Sequence, residues 1–516
     1  MSISEKLNGD NDASSDGKEA PIIESSQQQQ QPRTAIGKIK GFYGNPMSQI
    51  ALIGFCCFLC PGMFNALSGI GGGGQLDPKV SSKSNTALNA VFAGTSSFIG
   101  TFHNKLGTRL TLFLGACGYP LYIASFLCYN HTRNEGFVIA AGAILGFCAS
   151  LFWSAQGAVM LSYPLEQDKS KAFALVWVIF NLGAVIGSAI ELGLTYNSTA
   201  STLSDGVYVA FLVLTLLGAC CASLLKAPSS MIRSDGTRVY VPPHTTWKKE
   251  FIGLYRLVKT DYWVIFLFPL FFGSNLFYTW QQQDYNAPLF TLRARSLNSM
   301  LYWMAQMVAA YMFSFVLDSK SLSRPKRIWI GWGVVFLVLW AVWGGSYAKQ
   351  IQYSRSDVIA SLGSVRDPID ILPSRRYAGP ALLYAFGGFF DALWQSFAYA
   401  LMGAFSNDMS KLAFLAGFYK SIQSAGGATG YAMDSASVPY MTILAVTWAV
   451  CAAGLVFALP VLMFRVTEST NPLTEITAPG REQEVKKAAE EAIERTGVVP
   501  AQLRQMEKEE GISLGV

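Results

Sequence analysis

The chain has 516 residues, of which 51% are hydrophobic and only 14% are charged, and its formal net charge is +6. Because soluble proteins carry about 25% charged residues, this composition argues against an extracellular disulfide scaffold, a nucleic-acid binder and most soluble enzymes. It favours an all-α polytopic protein whose surroundings are a lipid bilayer and which has no nucleic acid partner.

Polar residues concentrate at the two ends of the chain. Residues 1–45 are rich in Ser, Asp and Asn and include a run from Gln27 to Gln31. This composition predicts a disordered tail without specific chemistry. Residues 466–516 form a second polar tail, and we expect both tails to lie in the cytoplasm.

Twelve segments between the tails are apolar enough to span a bilayer, which takes about 20 residues of helix. They are predicted at 48–70, 86–103, 109–129, 136–160, 171–194, 206–226, 261–281, 297–317, 327–347, 378–402, 410–432 and 438–464. The polar stretch 227–260 divides them into six and six. We therefore predict an N-terminal six-helix bundle at 46–226, a cytoplasmic linker at 227–260 and a C-terminal six-helix bundle at 261–465.

Two patterns indicate the orientation of these segments. The loops that a cytoplasmic N-terminus places inside are basic, for example at Lys105 and Arg109, as the positive-inside rule requires. The loop at 348–377 is a partial exception. The sequons at Asn130 and Asn197 fall in loops expected outside and predict glycosylation. We expect an integral multi-pass protein of the plasma membrane or of a vacuolar or endosomal membrane.

Sequence offers little support for enzymatic chemistry. The nine cysteines lie inside apolar segments, where small packing residues are the simpler interpretation, and the three histidines are far apart. We expect no metal and no cofactor. The run Gly69–Gly74 matches a nucleotide-binding glycine pattern, but it follows a membrane span and not a strand. We interpret it as a tightly turned or flexible exit from the first span.

The loop after the second span carries a recognisable pattern. Its residues are Gly100, Asn104, Lys105, Gly107 and Arg109. This pattern resembles the loop signature of the major facilitator superfamily, although Asn104 stands where an acid is usual. The glycines permit a tight turn, and the polar side chains cap helix ends and connect two spans. An ordinary basic turn is the alternative.

Longer stretches match a narrower family. They are Gly69–Pro78, Leu151–Gly157 with Tyr163 and Pro164, Leu292–Asn298 with Tyr302 and Gln306, and Gly417–Gly426. Together they resemble the Unc-ninety-three-like branch of the major facilitator superfamily, and its fungal members in particular. The resemblance implies the fold over residues 45–465. The family includes a nematode regulator of potassium channels and a vertebrate trafficking partner of Toll-like receptors, whereas most fungal members are inferred permeases.

Charged residues inside the predicted spans are the informative ones. A charge at the bilayer centre costs on the order of 3 kcal/mol, so it must face the bundle interior, a partner or water. Asp391 in the tenth span and Lys420 in the eleventh lie at similar depth, and we predict that they form an ion pair. Glu191 lies near the outer end of the fifth span, where it can extend towards the interface.

Other polar residues lie three or four positions from these charges or from one another, so they share helix faces. The stripes are Asp391, Gln395 and Tyr399; Lys420 and Gln423; Asn298, Tyr302 and Gln306; and Asn275 and Tyr278. We predict that they line a central cavity between the halves, where transporters hold substrate. The alternative is interhelical hydrogen bonding that only holds the bundle together.

Two functional hypotheses follow. The first is a secondary transporter of an unidentified small solute that works by alternating access, with coupling to protons through Asp391. The second is a non-transporting regulator or trafficking partner of a channel or receptor, in which a membrane protein partner replaces the small-molecule substrate.

Overall fold

The computed structural model describes residues 43–467 apart from 76, 97, 165–168, 198–200, 228–230, 232–251, 253–254, 256–257, 260, 320, 361 and 406–408. Contacts divide the chain into residues 1–43 and residues 44–516, and all helices below belong to the second unit. The tail predicted at 1–45, most of the linker at 227–260 and most of the tail at 466–516 lie outside the described residues.

Twelve long helices build the described part of the chain. They are α1 (Pro46–Gly69), α2 (Pro78–Thr95), α3 (Ile99–Thr132), α4 (Glu135–Ser162), α5 (Lys169–Thr195), α6 (Asp205–Ser223), α7 (Trp263–Leu289), α8 (Leu292–Leu317), α9 (Arg324–Gln350), α10 (Ser374–Phe405), α11 (Met409–Ser435) and α12 (Tyr440–Phe464). Between α9 and α10, β1 (Val358–Ile359) and β2 (Ser364–Val365) form a small antiparallel hairpin.

Nine helices of the described segments are long and apolar enough to cross a membrane. Helices α2, α10 and α11 are long but are not among those nine. Within lipid every backbone polar group needs an internal partner, which is why spans are helical. Polar side chains on such helices must then face other protein, and the contacts below show where they lie.

The second helix begins earlier than its hydropathy predicts. We expected a span at 86–103, but α2 starts at Pro78, where the Asp77 side chain caps the helix by accepting from the Lys79 amide. The early turns are polar yet buried, with Ser82 and Asn85 at most 3% exposed. Hydropathy does not register these turns, because their burial against protein is a tertiary property.

The helices form two bundles, as predicted. One apolar core cluster draws almost entirely on residues 50–231, and the other almost entirely on residues 264–466. Between the bundles, α2 packs on α11 and α5 packs on α8. In each pair the second helix of one bundle packs on the fifth helix of the other, so the two pairs are equivalent. The π-helical segments Phe58–Gly62 in α1 and Thr279–Asn286 in α7 also occupy equivalent helices. Two related six-helix halves are the architecture of the major facilitator superfamily.

The ends of the double bundle differ and are named here by their glycines. The glycine-run end holds residues 69–75, where α1 meets α2, together with the β1–β2 hairpin. The Gly107 end is the opposite one, where the chain turns within α3 at a residue with φ of 73°. Consecutive helices run in alternating directions between these two ends.

Candidate functional site at the interface of the two bundles

Asp391 lies near the middle of α10 and is fully buried. Four donors converge on its carboxyl group. Tyr278 Oη donates to Oδ2 at 2.8 Å and Gln395 Nε2 donates to Oδ1 at 2.7 Å. Tyr302 Oη lies 3.3 Å from Oδ2, and Gln306 Nε2 also donates to that oxygen. Helices α7, α8 and α10 thus each supply a partner, which makes burial of this acid tolerable.

A glycine pair lets α8 approach the acid-bearing helix. A Cβ on Gly388 would lie 2.2 Å from the Tyr302 carbonyl oxygen, and one on Gly387 would lie 3.1 Å from Gln281 Nε2. Real Cβ atoms do not come within 2.2 Å of backbone, so a larger residue at Gly388 would push α8 away. The hydroxyl of Tyr302 is thereby held between Asp391 and the Gln281 Oε1 atom, which accepts at 2.9 Å.

The predicted ion pair between Asp391 and Lys420 is wrong. Lys420 Nζ donates instead to Gln423 Oε1 at 2.9 Å. Gln423 Nε2 donates to Gln395 Oε1 at 3.3 Å, and Gln395 in turn donates to Asp391. Each glutamine amide has one acceptor and one donor group, so the two amides link the charges in a chain without bringing them into contact.

Lys420 faces the first bundle. Its ammonium lies 6.0 Å from the ring centroid of Trp153 on α4 and 5.4 Å from that of Tyr419. The next residue, Ser421, donates to the Ala93 carbonyl of α2 at 2.5 Å. Tyr399, another predicted cavity residue, packs its ring on Tyr419. The positive charge therefore lies where the two halves meet.

Other predicted site residues lie elsewhere. Asn298 belongs to a separate cluster, because it donates to Asn286 Oδ1 at 2.9 Å and accepts from Tyr377 Oη at 2.7 Å. Asn275 lies beside Asn89 of the other half, where Gly427 leaves room for both. Seven predicted residues therefore form one connected set, namely Tyr278, Tyr302, Gln306, Asp391, Gln395, Lys420 and Gln423.

Glu191 does not extend outward, contrary to expectation. It is fully buried in α5, and neither carboxyl oxygen has a hydrogen-bond partner among the described residues. It lies on the face that packs on α8, between two cross-bundle hydroxyl contacts. These are Ser188 with Ser299 and Thr195 with Ser296.

The glycine run is tightly turned and held by the second bundle. Gly71–Gly74 all have φ between 58° and 76°, which favours glycine. Arg295 donates from Nε to the Ile70 carbonyl at 2.7 Å and from Nη2 to the Gly71 carbonyl at 2.5 Å. Asn286 and Tyr384 both donate to the Gly69 carbonyl, at 2.9 Å and 2.7 Å. These contacts close this end of the molecule.

A charged cluster that sequence reasoning missed lies at the same end. Arg355, in the α9–α10 connection, pairs with Asp434 at 2.7 Å and with Asp284 at 3.5 Å. Asp434 also accepts from Ser82 of the first bundle. Burial lowers the pKa of the Arg355 guanidinium, but Asp284 and Asp434 outweigh that effect and hold its pKa above the ordinary value.

The sequence gives only a weak signal for this cluster, which is the polar run that contains Asp284. Asp284 ends a run of three glutamines just beyond the predicted seventh span, but nothing in the sequence joins it to residues seventy or more positions away. The cluster also explains the basic loop at 348–377. Arg355 meets acids there, and Arg376 pairs with Asp367.

The loop signature lies at the Gly107 end. Gly107 makes the turn, and Arg109 Nε donates to the Ser223 carbonyl at the end of α6. His103 meets the Thr108 hydroxyl across the turn at 3.0 Å. Gly100 and Lys105 lie on the first arm, and the side chain of Asn104 lies outside the described part. The turn connects helices of one bundle.

The two sequons stay predictions. Asn130 lies in the last turn of α3, where its amide donates to Asp205 at 2.9 Å and accepts from Gln75 at 3.0 Å. Asn197 is exposed just after α5, and the rest of its sequon lies outside the described residues. Both asparagines are at the glycine-run end.

Fold and site together define an integral multi-pass membrane protein of transporter-like architecture, with a buried carboxyl group at the centre. The family described as ion channel regulatory protein UNC-93 matches residues 81–280. A UNC93-like protein of Schizosaccharomyces pombe is 43% identical over 461 residues, which cover 89% of this chain and 90% of the relative. The chain therefore belongs to the UNC93-like family.

A plant relative agrees with this assignment. UNC93-like protein 1 of Arabidopsis thaliana is 39% identical over 416 residues, covering 79% of this chain and 87% of the relative. Among solved structures, the E. coli fucose:proton symporter matches 83% of this chain and 99% of its own, with a TM-score of 0.49 and 12% identity.

Proposed function

We propose that this protein is a secondary transporter of a small solute that works by alternating access. The observation that carries the proposal is the polar network around Asp391, which is buried near the middle of α10 and is linked through Gln395 and Gln423 to Lys420 at the other bundle. A charge at such depth is costly to retain and marks functional paths in membrane proteins. Hydrogen bonding that only joins helices needs no ionisable residue.

The two ends of the bundle fit the two states of such a cycle. The glycine-run end is closed by Arg295 on the glycine carbonyls and by Arg355, Asp434 and Ser82 between the halves. Opening that end requires these contacts to separate as the bundles rock about the α2–α11 and α5–α8 interfaces. The described conformation is then one that is closed at the glycine-run end.

Proton coupling has a local switch in this geometry. The single hydroxyl proton of Tyr302 has two acceptors, Gln281 Oε1 at 2.9 Å and Asp391 Oδ2 at 3.3 Å. When Asp391 is ionised, the hydroxyl donates to it. When Asp391 is protonated, the acid donates to the Tyr302 oxygen and the hydroxyl turns to Gln281. Protonation of Asp391 therefore changes both the charge of its carboxyl group and the hydrogen bond that Tyr302 of α8 makes.

The test uses Asp391→Asn, which keeps the size of the side chain and removes its titration. Cells that lack the gene are compared with cells that express it across many solutes, and the best solute is assayed in reconstituted vesicles. We expect the variant to lose proton-driven flux at normal expression, whereas Asp318→Asn, at an exposed position after α8, retains it. Wild-type coupling in Asp391→Asn would refute the coupling role.

Orientation and domain boundaries are part of the proposal. The sequon asparagines at the glycine-run end and the basic residues at the Gly107 end support cytoplasmic termini. The two bundles are assigned to 46–226 and 261–465, with a cytoplasmic linker at 227–260. A plasma-membrane, vacuolar or endosomal location fits equally.

The second candidate is a non-transporting regulator or trafficking partner. The family description, which names ion channel regulation, favours it. Purification with one stoichiometric membrane protein, together with no solute-dependent flux in vesicles, would support this alternative. In that case the network around Asp391 is structural, and the partner binds at loops or at lipid-facing surfaces of the spans.

A further inference from the structure

We propose that Lys420 is the binding site for the negatively charged group of the substrate, and that the substrate is an organic acid with an aromatic or other flat apolar part. This inference rests on the proposed function, because it names the class of solute for the same interface. In this proposal the solute, and not Asp391 as the sequence predicts, supplies the negative partner of Lys420.

No carboxyl group of the described residues forms an ion pair with Lys420, and Asp391 acts on its charge only across the two glutamine amides. Among the described residues its ammonium has one hydrogen bond, to the neutral Gln423 amide, although an ammonium has three donors. The carboxyl group of Asp391 is already occupied by four donors. A lysine at this depth needs an anion or water, and an anion from the solute supplies both charge and hydrogen-bond acceptors.

Access to Lys420 differs from access to Asp391. Lys420, Gln395, Tyr399 and Trp153 are all half-buried, although they lie well inside the helical bundles. Asp391 is fully buried. A solute that enters between the halves therefore reaches the ammonium of Lys420 first. The hydrogen bonds of Gln423 and Gln395 connect that ammonium to the carboxyl group of Asp391.

The aromatic surroundings indicate the rest of the solute. Trp153 lies opposite the ammonium, and its ring packs edge-on against Phe180, which in turn meets Trp177. The buried ring of Tyr419 lies 5.4 Å from the same ammonium. Aromatic walls of this kind favour flat apolar groups, whereas a small inorganic anion gains nothing from them.

The test measures binding without flux. Purified full-length protein in phosphatidylcholine nanodiscs, which exclude anionic lipid head groups, is titrated calorimetrically with acetate, benzoate and 2-naphthoate and with their neutral amides. We expect at least one aromatic carboxylate to bind about tenfold or more tightly than its amide. Lys420→Gln should abolish that preference, Lys420→Arg should retain it, and Trp153→Leu should weaken the aromatic acids.

Lys79→Gln, an exposed lysine at the start of α2, serves as the charge-matched control and should bind as wild type. The proposal is overturned if no carboxylate binds better than its amide, or if Lys420→Gln binds like wild type. Asp391→Asn should still bind the aromatic carboxylate, because Asp391 does not contact Lys420. Lysine-dependent binding without flux in vesicles would therefore reject transport while the anion site stands.

Discussion

Asp391 and Lys420 belong to one polar network but do not meet, because the amides of Gln395 and Gln423 stand between them in the hydrogen-bond chain. The two charges are therefore separable in function. One sits in a closed shell of donors, and the other faces the opposite bundle. Each can be perturbed without directly removing a partner of the other.

Gln423→Glu should convert the neutral acceptor of Lys420 into a carboxylate at the same place. We expect an internal ion pair, so that preference for aromatic carboxylates over their amides falls by about tenfold or more. Calorimetry in nanodiscs checks this outcome. Gln352→Glu, in the exposed loop after α9, is the control for an added charge. Unchanged carboxylate binding in Gln423→Glu would contradict the role of Lys420.

Gly388→Ala should displace α8 from α10, because the new methyl group meets the Tyr302 carbonyl at 2.2 Å. Overpacking of this kind costs about 1–3 kcal/mol, and the Tyr302 contact with Asp391 should be lost with it. Thermal unfolding of the purified protein and flux in vesicles measure the two effects. Gly403→Ala lies on the same helix with open space around it, so equal behaviour of the two variants would refute this packing.

Arg355→Ala should open the glycine-run end. It leaves the carboxyl groups of Asp284 and Asp434 buried without their arginine, and removal of one partner from a buried pair costs about 3–5 kcal/mol. We expect faster hydrogen exchange at residues 70–75 and 432–438. Arg376→Ala removes an exposed pair with Asp367, which is worth at most about 1 kcal/mol, and should leave exchange unchanged.

Asp370 gives a pH dependence outside the membrane spans. Its hydrogen bond with Arg293, opposed by partial burial, lowers its pKa from the ordinary 3.8 to about 2. A lowered pKa stabilises the fold above the ordinary value, and this contribution is lost as pH falls from about 4 towards 2. Asp370→Asn should remove about 1 kcal/mol at neutral pH after allowance for solvent screening. Unfolding temperatures of both proteins should converge near pH 2, and a constant difference would contradict the assignment.

The sequence predicts part of the site correctly, as a few residues show. The i, i+4 spacing of Asp391 with Gln395 and of Tyr302 with Gln306 placed these residues on shared faces, and the structure brings all four together. Asn298 shares the stripe of Tyr302 but joins Asn286 and Tyr377 one turn away. Helical periodicity gives the face of a residue, but not the depth at which a neighbouring helix meets it.

The charged residues divide in the same way. Hydropathy identifies a charge within an apolar run, and so Asp391, Lys420 and Glu191 stand out. It does not identify Arg355, Asp284 and Asp434, because Arg355 lies in a loop and the two acids lie near the ends of spans, where charges are ordinary. Their cluster exists only because three distant segments converge at the glycine-run end.

The sequence by itself determined that the chain crosses a membrane as helices, since a backbone in lipid must satisfy its own hydrogen bonds and long apolar runs can do so only in that form. It also determined the family, through motifs spread along the chain. Only the tertiary structure decided which polar groups meet. An amide, a hydroxyl or a carboxyl group takes its partner from whichever helix lies within about 3 Å, and the packing of non-adjacent helices sets that distance.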